Sequence, residues 1–291
     1  MITGASGLVG RALAAVLRTD GHHVVTMGRG AGAELEWNPA AGTITPRLTP
    51  CDAIVHLAGA NIGQRWSAAH RREIVDSRVR GTGLIARAAA DLAVPPAVLV
   101  SASAVGYYGD RGDEWLTEES TAGTDFLGQL GRRWEESAAP ARAAGIRVVH
   151  PRIGVVLSAA GGALAKMLPV FRIGAGAPLG SGRQWMSWIS LDDLVAVLRF
   201  AIDTPTLAGA VNAVAPAPAT NREFTAALAA AVGAPAFLPS VPAFALKAAY
   251  GEMASATILA SQRVRPGVLE QSGFSFSHPS LHAALRHALA P

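Results

Sequence analysis

What most constrains this chain is its alternation. Short, continuously apolar segments recur, and each is followed by a longer stretch whose apolar residues repeat at helical spacing. After a strand end at Met1-Ile2-Thr3, the sequence predicts strands over 22–27, 53–57, 97–100 and 147–157. The intervening helices are predicted from Leu8 to near Gly21, over 67–90 and over 126–144. Strands apolar on both faces and separated by helices of ten or more residues build βαβ units. The predicted fold class is therefore α/β, a Rossmann-type doubly wound parallel sheet with a smaller C-terminal substrate lobe. From Ser158 the texture changes to a stretch with Gly174, Gly176, Gly180 and Gly182, a helix over 192–202, a short strand over 210–214 and an Ala/Pro-rich region up to Pro242. The predicted core is 1–157 with 191–215 returning to it, and 158–190 with 216–291 form the lobe.

Composition narrows the function classes. Half of the 291 residues are apolar, enough to bury a sizeable core. The single cysteine, Cys51, cannot form an internal disulfide or a Cys-rich zinc site and fits a reducing compartment, so the expected location is the cytoplasm. No apolar run approaches the ~20 residues of a membrane span, and no basic flank precedes an apolar stretch at the start. The formal charge is only +4, two residues (Lys166 and Lys247) are lysines, and the arginines are dispersed, so nucleic acid is not an expected partner. The eight histidines show no metal-ligand spacing: Pro279 interrupts His278 and His282, and no metal is expected.

The first turn carries the strongest local signal. Gly4-Ala5-Ser6-Gly7-Leu8-Val9-Gly10 lies between a strand and an amphipathic helix, where backbone N–H groups and the positive end of the helix dipole suit a pyrophosphate. At the end of the second strand an acid would accept from a ribose 2'-OH, whereas a base suits a 2'-phosphate. Here Arg29 stands in that place, and no Asp or Glu lies between Asp20 and Glu34. The expected cofactor is NADP(H). The ends of the next two strands, Leu57-Ala58-Gly59 and Ser101-Ala102-Ser103, should lie beside it.

Several segments together resemble one family: GASGLVG (4–10), HLAGANIGQRW (56–66), DSRVRGT (76–82), SASAVGYYG (101–109), DFLGQLGRRWEESA (125–138), RIGVVLS (152–158), SGRQWMSWISLDDL (181–194), PAFALKAAYGEMA (242–254) and SQRVRPGVLEQSGFSF (261–276). The chain resembles the epimerase-like atypical short-chain dehydrogenase/reductases of the extended type, which end in a small characteristic domain, here 236–285. The resemblance implies NADP(H) binding, a substrate that is unassigned for most members, and, for some relatives, a link to cell or plastid division. Carried over by position, it implies that Gly4, Ser6, Gly7, Leu8, Val9 and Gly10 cradle the pyrophosphate, Arg29 the 2'-phosphate and Leu57-Ala58-Gly59 the adenosine side. Ser101, Ala102 and Ser103 with Pro151, Arg152 and Ile153 fall on the nicotinamide side, and Arg78 is a further phosphate contact. Two departures stand out. The first strand is short, either because the start site is misassigned or because the strand is trimmed, and Ser190 replaces the usual His after Trp188-Ile189.

The third departure concerns the chemistry. Short-chain dehydrogenases pair a Tyr with a Lys four residues later, which lowers the phenol's pKa. Four residues before Lys166 is Gly162 and four before Lys247 is Ala243, so the chain contains no Tyr-x-x-x-Lys. Counting back eight from Glu135, which resembles the glutamate trailing that motif, lands on Leu127, and four back on Gly131. The remaining catalytic candidates are Ser103, Tyr107 and Tyr108, with Arg111 four residues after Tyr107 as a fixed charge. In the lobe, Arg183, Gln184 and Trp188 suit an anionic or sugar-bearing ligand. Asp192 and Asp193 read as a helix start, and Glu252 has no evident role. Two functions fit: an oxidoreductase or epimerase-like enzyme acting on a sugar nucleotide or other carbonyl compound, or a non-catalytic NADP(H)-sensing protein that meets a protein partner, with cell division as its setting. A helical face on an open sheet also suits a homodimer.

Overall fold

The computed structural model describes residues 1–30, 32–235 and 238–290. In chain order the strands are β1 (Ile2–Thr3), β2 (Thr26–Gly28), β3 (Leu35–Asn38), β4 (Thr43–Thr45), β5 (Ala53–His56), β6 (Val98–Ser101), β7 (Ser103–Ala104), β8 (Trp115–Leu116), β9 (Arg147–Ile153), β10 (Val155–Leu157), β11 (Trp185–Met186), β12 (Trp188–Ser190), β13 (Gly209–Ala213), β14 (Ala219–Thr220) and β15 (Arg263–Val264). The α-helices are α1 (Leu8–Thr19), α2 (Ala68–Ala90), α3 (Phe126–Glu136), α4 (Ala139–Ala143), α5 (Gly162–Arg172), α6 (Leu191–Asp203), α7 (Asn221–Ala231), α8 (Ala243–Tyr250), α9 (Gly267–Gln271) and α10 (Leu281–Leu289).

The main sheet has the order β13-β9-β6-β5-β1-β2-β3-β4, with only the β3–β4 pair antiparallel along that path. Successive strands run outward in opposite directions from β1, so the crevice at the carboxyl ends of β1 and β5 is the topological switch point of a doubly wound sheet. One face is covered by α1 and α6 through Leu13, Leu17, Leu194 and Leu198, packed on Val55, Val100 and Val149. The other is covered by α2 and α4 through Ile85, Ala89 and Ala141, with Ala138 just ahead of α4, packed on Ile54, Leu99 and Val148. Both faces are apolar because parallel strands are buried on both sides.

Several predicted boundaries shift. The second strand starts only at Thr26, and 22–25 lies outside it. The β3–β4 hairpin extends the sheet where no strand is predicted, because Leu35 and Trp37 alternate with Glu36 and Asn38 over too few residues to register as a period. The helix predicted over 126–144 is two helices, broken at Ser137–Ala138, just before Pro140. The fifth strand divides at Gly154, where an added Cβ would sit 2.5 Å from the Ser187 carbonyl oxygen. Beyond it β10 leaves the sheet and pairs with β12.

A second core surrounds Trp188, with Leu164 and Leu168 of α5, Phe224 and Leu228 of α7, and Leu281 and Leu285 of α10. Helix α7, inside the stretch read as Ala/Pro-rich, begins with a reciprocal capping box between Thr220 and Glu223. The C-terminal segment predicted to begin at 236 starts on two residues outside the described ones; from 238 onward it includes α8, a π-helical turn (Ala254–Ile258), β15, α9 and α10.

Candidate functional site

The turn after β1 is built by glycines whose missing side chains are required. Gly4 has φ +68°, and a Cβ there would lie 2.9 Å from the Ala58 nitrogen; one on Gly10 would lie 2.3 Å from the Gly4 carbonyl oxygen. The β1 turn and the end of β5 therefore touch backbone to backbone. Gly7 is the N-cap of α1 and offers no side chain to its first N–H groups, so these donors face the switch point. Ser6, Leu8 and Val9 lie on this turn, and Leu8 also meets Gly161 and Gly162 at the start of α5.

Arg78 is the most telling charge here. Its guanidinium lies against Gly59, where an added Cβ would come within 3.3 Å of Cζ. It donates to the carbonyls of Ala60 (3.0 Å) and Ile74 (3.4 Å) and stands 5.0 Å over the Trp134 ring. Burial pulls its pKa down to about 10, which still leaves it charged at neutral pH. Among the described residues no carboxylate pairs with it. A buried cation without an acid is costly unless an anion meets it. At the end of β2, Arg29 is exposed, and the first acid after it, Glu34, accepts from the Thr26 N–H and hydroxyl instead of facing the crevice.

At the ends of β5 and β6 the polar groups are tightly held. The Thr3 hydroxyl lies 2.7 Å from Nδ1 of His56 and accepts from the Leu57 and Ala58 N–H groups. His56 Nε2 and the Ser101 hydroxyl are buried with no hydrogen-bond partner among the described residues. The imidazole packs edge to face with Trp37, and burial, reinforced by the nearby Arg78 charge, lowers its pKa to about 4. Ala102 is buried beside them.

Three of the residues singled out for chemistry belong to one buried network. The Ser103 hydroxyl donates to Glu135 (2.7 Å), whose carboxylate receives Nε and Nη2 of Arg152 (2.8 and 2.9 Å). Nη1 of Arg152 reaches the Tyr108 hydroxyl (2.9 Å) and the Glu118 carbonyl (3.1 Å), and Tyr108 donates to Asn212 (2.6 Å). Tyr108 is fully buried, and burial, only partly opposed by Arg152, pushes its pKa up to about 12. The structure thus brings Tyr108 and Arg152, expected among the catalytic and nicotinamide-side residues, into one buried network in which Tyr108 donates to Asn212 and Arg152, with four of its N–H groups engaged within the protein, is the hub. Pro151 and Ile153 flank it on β9. Glu118 and Asn212 went unnoticed in the sequence, although a polar residue inside the apolar 210–214 segment was the available signal for Asn212.

Tyr107 is half-buried. Its ring lies 3.5 Å from the Arg152 guanidinium carbon and meets Tyr108 edge to face. The proposed Tyr107–Arg111 pairing does not form, since Arg111 binds Glu114 through two bonds and the Thr121 carbonyl. Leu127 is buried with Ala60, Ile74, Leu130 and Ala256 of the π-helical turn. Lys166 reaches over the same edge, its Nζ 3.3 Å from the Gly63 carbonyl.

In the lobe the substrate candidates Gln184 and Trp188 make internal hydrogen bonds. Trp188 is fully buried and its indole N–H donates to Ala217, and the Gln184 amide donates to Leu179 and Ile258. The indole N–H of Trp188 and the amide N–H groups of Gln184 are thus engaged within the protein, the Gln184 amide oxygen meets the Ser181 hydroxyl at 3.5 Å, and Arg183 remains exposed. Ser190 caps α6, and the Asp193 carboxylate receives the N–H groups of Ser277 and His278. Glu252 pairs with Arg71. Folding also brings Asp192 to His278 and His287, a cluster that spacing could not show, with the two imidazoles stacked 4.2 Å apart.

A doubly wound sheet with a glycine turn at its switch point defines a class, and the comparisons place the chain within it. Residues 1–213 match the NAD dependent epimerase/dehydratase family, and 241–288 match a domain of unknown function, DUF1731. The chain belongs to the NAD dependent epimerase/dehydratase family. It is 49% identical to the epimerase family protein Mb2239 of Mycobacterium bovis, over 99% of this chain and 96% of that protein. The crystal structure of human epimerase family protein SDR39U1 (isoform 2) with NADPH superposes with a TM-score of 0.92 at 35% identity, covering 99% of this chain and 97% of that one. The nucleoside-diphosphate sugar epimerase of Corynebacterium glutamicum matches at TM-score 0.78 and 38% identity, with 99% of this chain and 57% of that chain covered.

Proposed function

We propose that the chain binds NADP(H) at the β1–β5 switch point and acts as an oxidoreductase or epimerase-like enzyme on a small carbonyl compound of the sugar-nucleotide type. The observation that carries the reading is the pairing of an uncapped helix N-terminus with the half-buried Arg78 guanidinium, which no carboxylate meets among the described residues, across one backbone cradle. NADPH in the human relative's structure supports it. Gly4, Gly7 and Gly10 admit the pyrophosphate, Arg78 neutralises charge beside Gly59, and Arg29 meets the 2'-phosphate. The nicotinamide supplies or accepts hydride when bound. Tyr107 is then the proton donor, its ring held by Arg152, while Ser103 acts as a positioning residue through Glu135.

Calorimetric titration with NADPH and NADH, followed by a carbonyl and sugar-nucleotide panel read by NADPH oxidation at 340 nm, tests both halves. Tight NADPH binding with turnover lost in Tyr107→Phe supports the enzyme; unchanged turnover removes Tyr107 from the mechanism. Absence of NADPH binding ends the whole reading. The rival is a cofactor-sensing protein that works through a partner. It is favoured by the locking of Ser103, Tyr108 and Arg152 into a buried network, and tight NADPH binding with no turnover across the panel is its signature.

A further inference from the structure

Away from the glycine turn, three segments converge on one arginine. Strand β15 pairs with β8 so that Arg263 faces Trp115 in register. Val264 and Leu116, the next residue on each strand, are buried with Tyr108. Side chains alternate along a strand, so Arg263 and Trp115 project from the opposite face. There the Arg263 guanidinium carbon lies 4.0 Å from the Trp115 ring centroid and 4.1 Å from that of Trp185. Two indoles thus flank one cation.

The cradle is fixed in place. The Trp185 indole N–H donates to Asp113 (2.8 Å), its backbone N–H donates to the Ser261 hydroxyl (3.0 Å), and that hydroxyl donates to the Gly112 carbonyl (2.6 Å). The Ser261 N–H is held by Asp110, and the Gln262 N–H by the Trp185 carbonyl. A guanidinium set against aromatic rings keeps its N–H donors for other partners, because the rings meet the charge and accept no hydrogen bond in its plane. Nε of Arg263 is buried with no acceptor among the described residues, and no carboxylate there lies in ion-pair range of it. Arg265, which stands 5.6 Å from the Trp115 ring, does have an acid, Glu270 at 3.8 Å. A desolvated charged donor without an acceptor is a group that calls for a missing partner.

We infer that Trp115, Arg263 and Trp185 form an oxyanion-binding site for the phosphate or carboxylate of a small molecule, separate from the β1 turn. The planar fork matches either anion through two parallel hydrogen bonds. Arg265 adds a second positive charge beside the ring.

The test uses the full chain saturated with NADPH, so that added anions cannot be read as filling the β1 turn. Inorganic pyrophosphate and citrate are titrated separately at constant ionic strength and followed by calorimetry and tryptophan fluorescence. The expected result is saturable one-to-one binding of at least one of them, weakened roughly tenfold or more in both Arg263→Gln and Arg263→Lys, the lysine keeping the charge but losing the fork. The anion that binds more tightly identifies the source as phosphate or carboxylate. Should the variants fail to fold, the 15Nε–1H signal of Arg263 in the unmodified chain must shift on titration. Absence of saturable binding, binding unchanged in both variants, or an unmoved Nε signal overturns the inference.

Discussion

Gly10 and Arg29 show how single residues set what the crevice accepts. At Gly10 the nearest backbone atom to an added Cβ is 2.3 Å away, so Gly10→Ala must move the whole turn. We expect it to cost about 1–3 kcal/mol of stability, measured by urea unfolding, together with loss of NADPH binding. Arg29→Ser should weaken NADPH by roughly tenfold or more and spare NADH; equal loss of both cofactors by calorimetry would refute the 2'-phosphate assignment. Tyr108→Phe removes a donor from Asn212 and an acceptor from Arg152 in a buried network, so it should destabilise by about 1–3 kcal/mol and leave NADPH affinity unchanged. At this scale the glycine turn was legible, because the requirement for no side chain is written in the residue type itself. The role of Arg152 was not. Its position on β9 placed it beside the crevice, but which way its donors turned depended on Glu135, Tyr108 and Glu118, drawn from three other parts of the chain.

Elements were legible where their period was long and their caps were local. Helix α2 starts one residue after Ser67, whose hydroxyl accepts from the His70 N–H, and α6 starts after Ser190. The β3–β4 hairpin and the exit of β10 were hidden, since short strands leave too few residues to show alternation, and the β10–β12 pairing depends on the close approach of Gly154 to Ser187. Asp193 links two elements at once: it sits in the first turn of α6 and holds the N–H groups of Ser277 and His278 just ahead of α10. Asp193→Ala leaves those donors unpaired, and we expect a loss of about 1–3 kcal/mol, seen as a lower Tm by calorimetry with the main sheet's circular dichroism retained.

For the whole molecule the pH dependence of stability follows from two buried imidazoles. Burial lowers the pKa of both His56 and His150 to about 4, below the value near 6.5 expected in the unfolded chain. Between those values the unfolded state binds more protons, so stability is full above about pH 6.5 and falls as pH drops toward 4, by on the order of 3 kcal/mol for each ring. Urea midpoints at pH 7.5 and 4.5 should differ accordingly, and His150→Asn should reduce the difference; a flat profile would show that the rings are not held neutral. The fold class was readable from alternation alone, whereas the contact of the π-helical turn with α3 was not, because it joins residues more than a hundred positions apart.

That contact bears on what the chain can become. Leu127 shares a buried apolar cluster with Ala256, and an added Cβ at Gly131 would lie 3.1 Å from Tyr107 Cα and 3.2 Å from its Cβ. A tyrosine at 127 would have to fit into the cluster that includes Ala256, and a lysine at 131 would press on the turn that carries Tyr107. Tyr-x-x-x-Lys chemistry therefore asks for more than two substitutions, since the surroundings of both positions must give way as well.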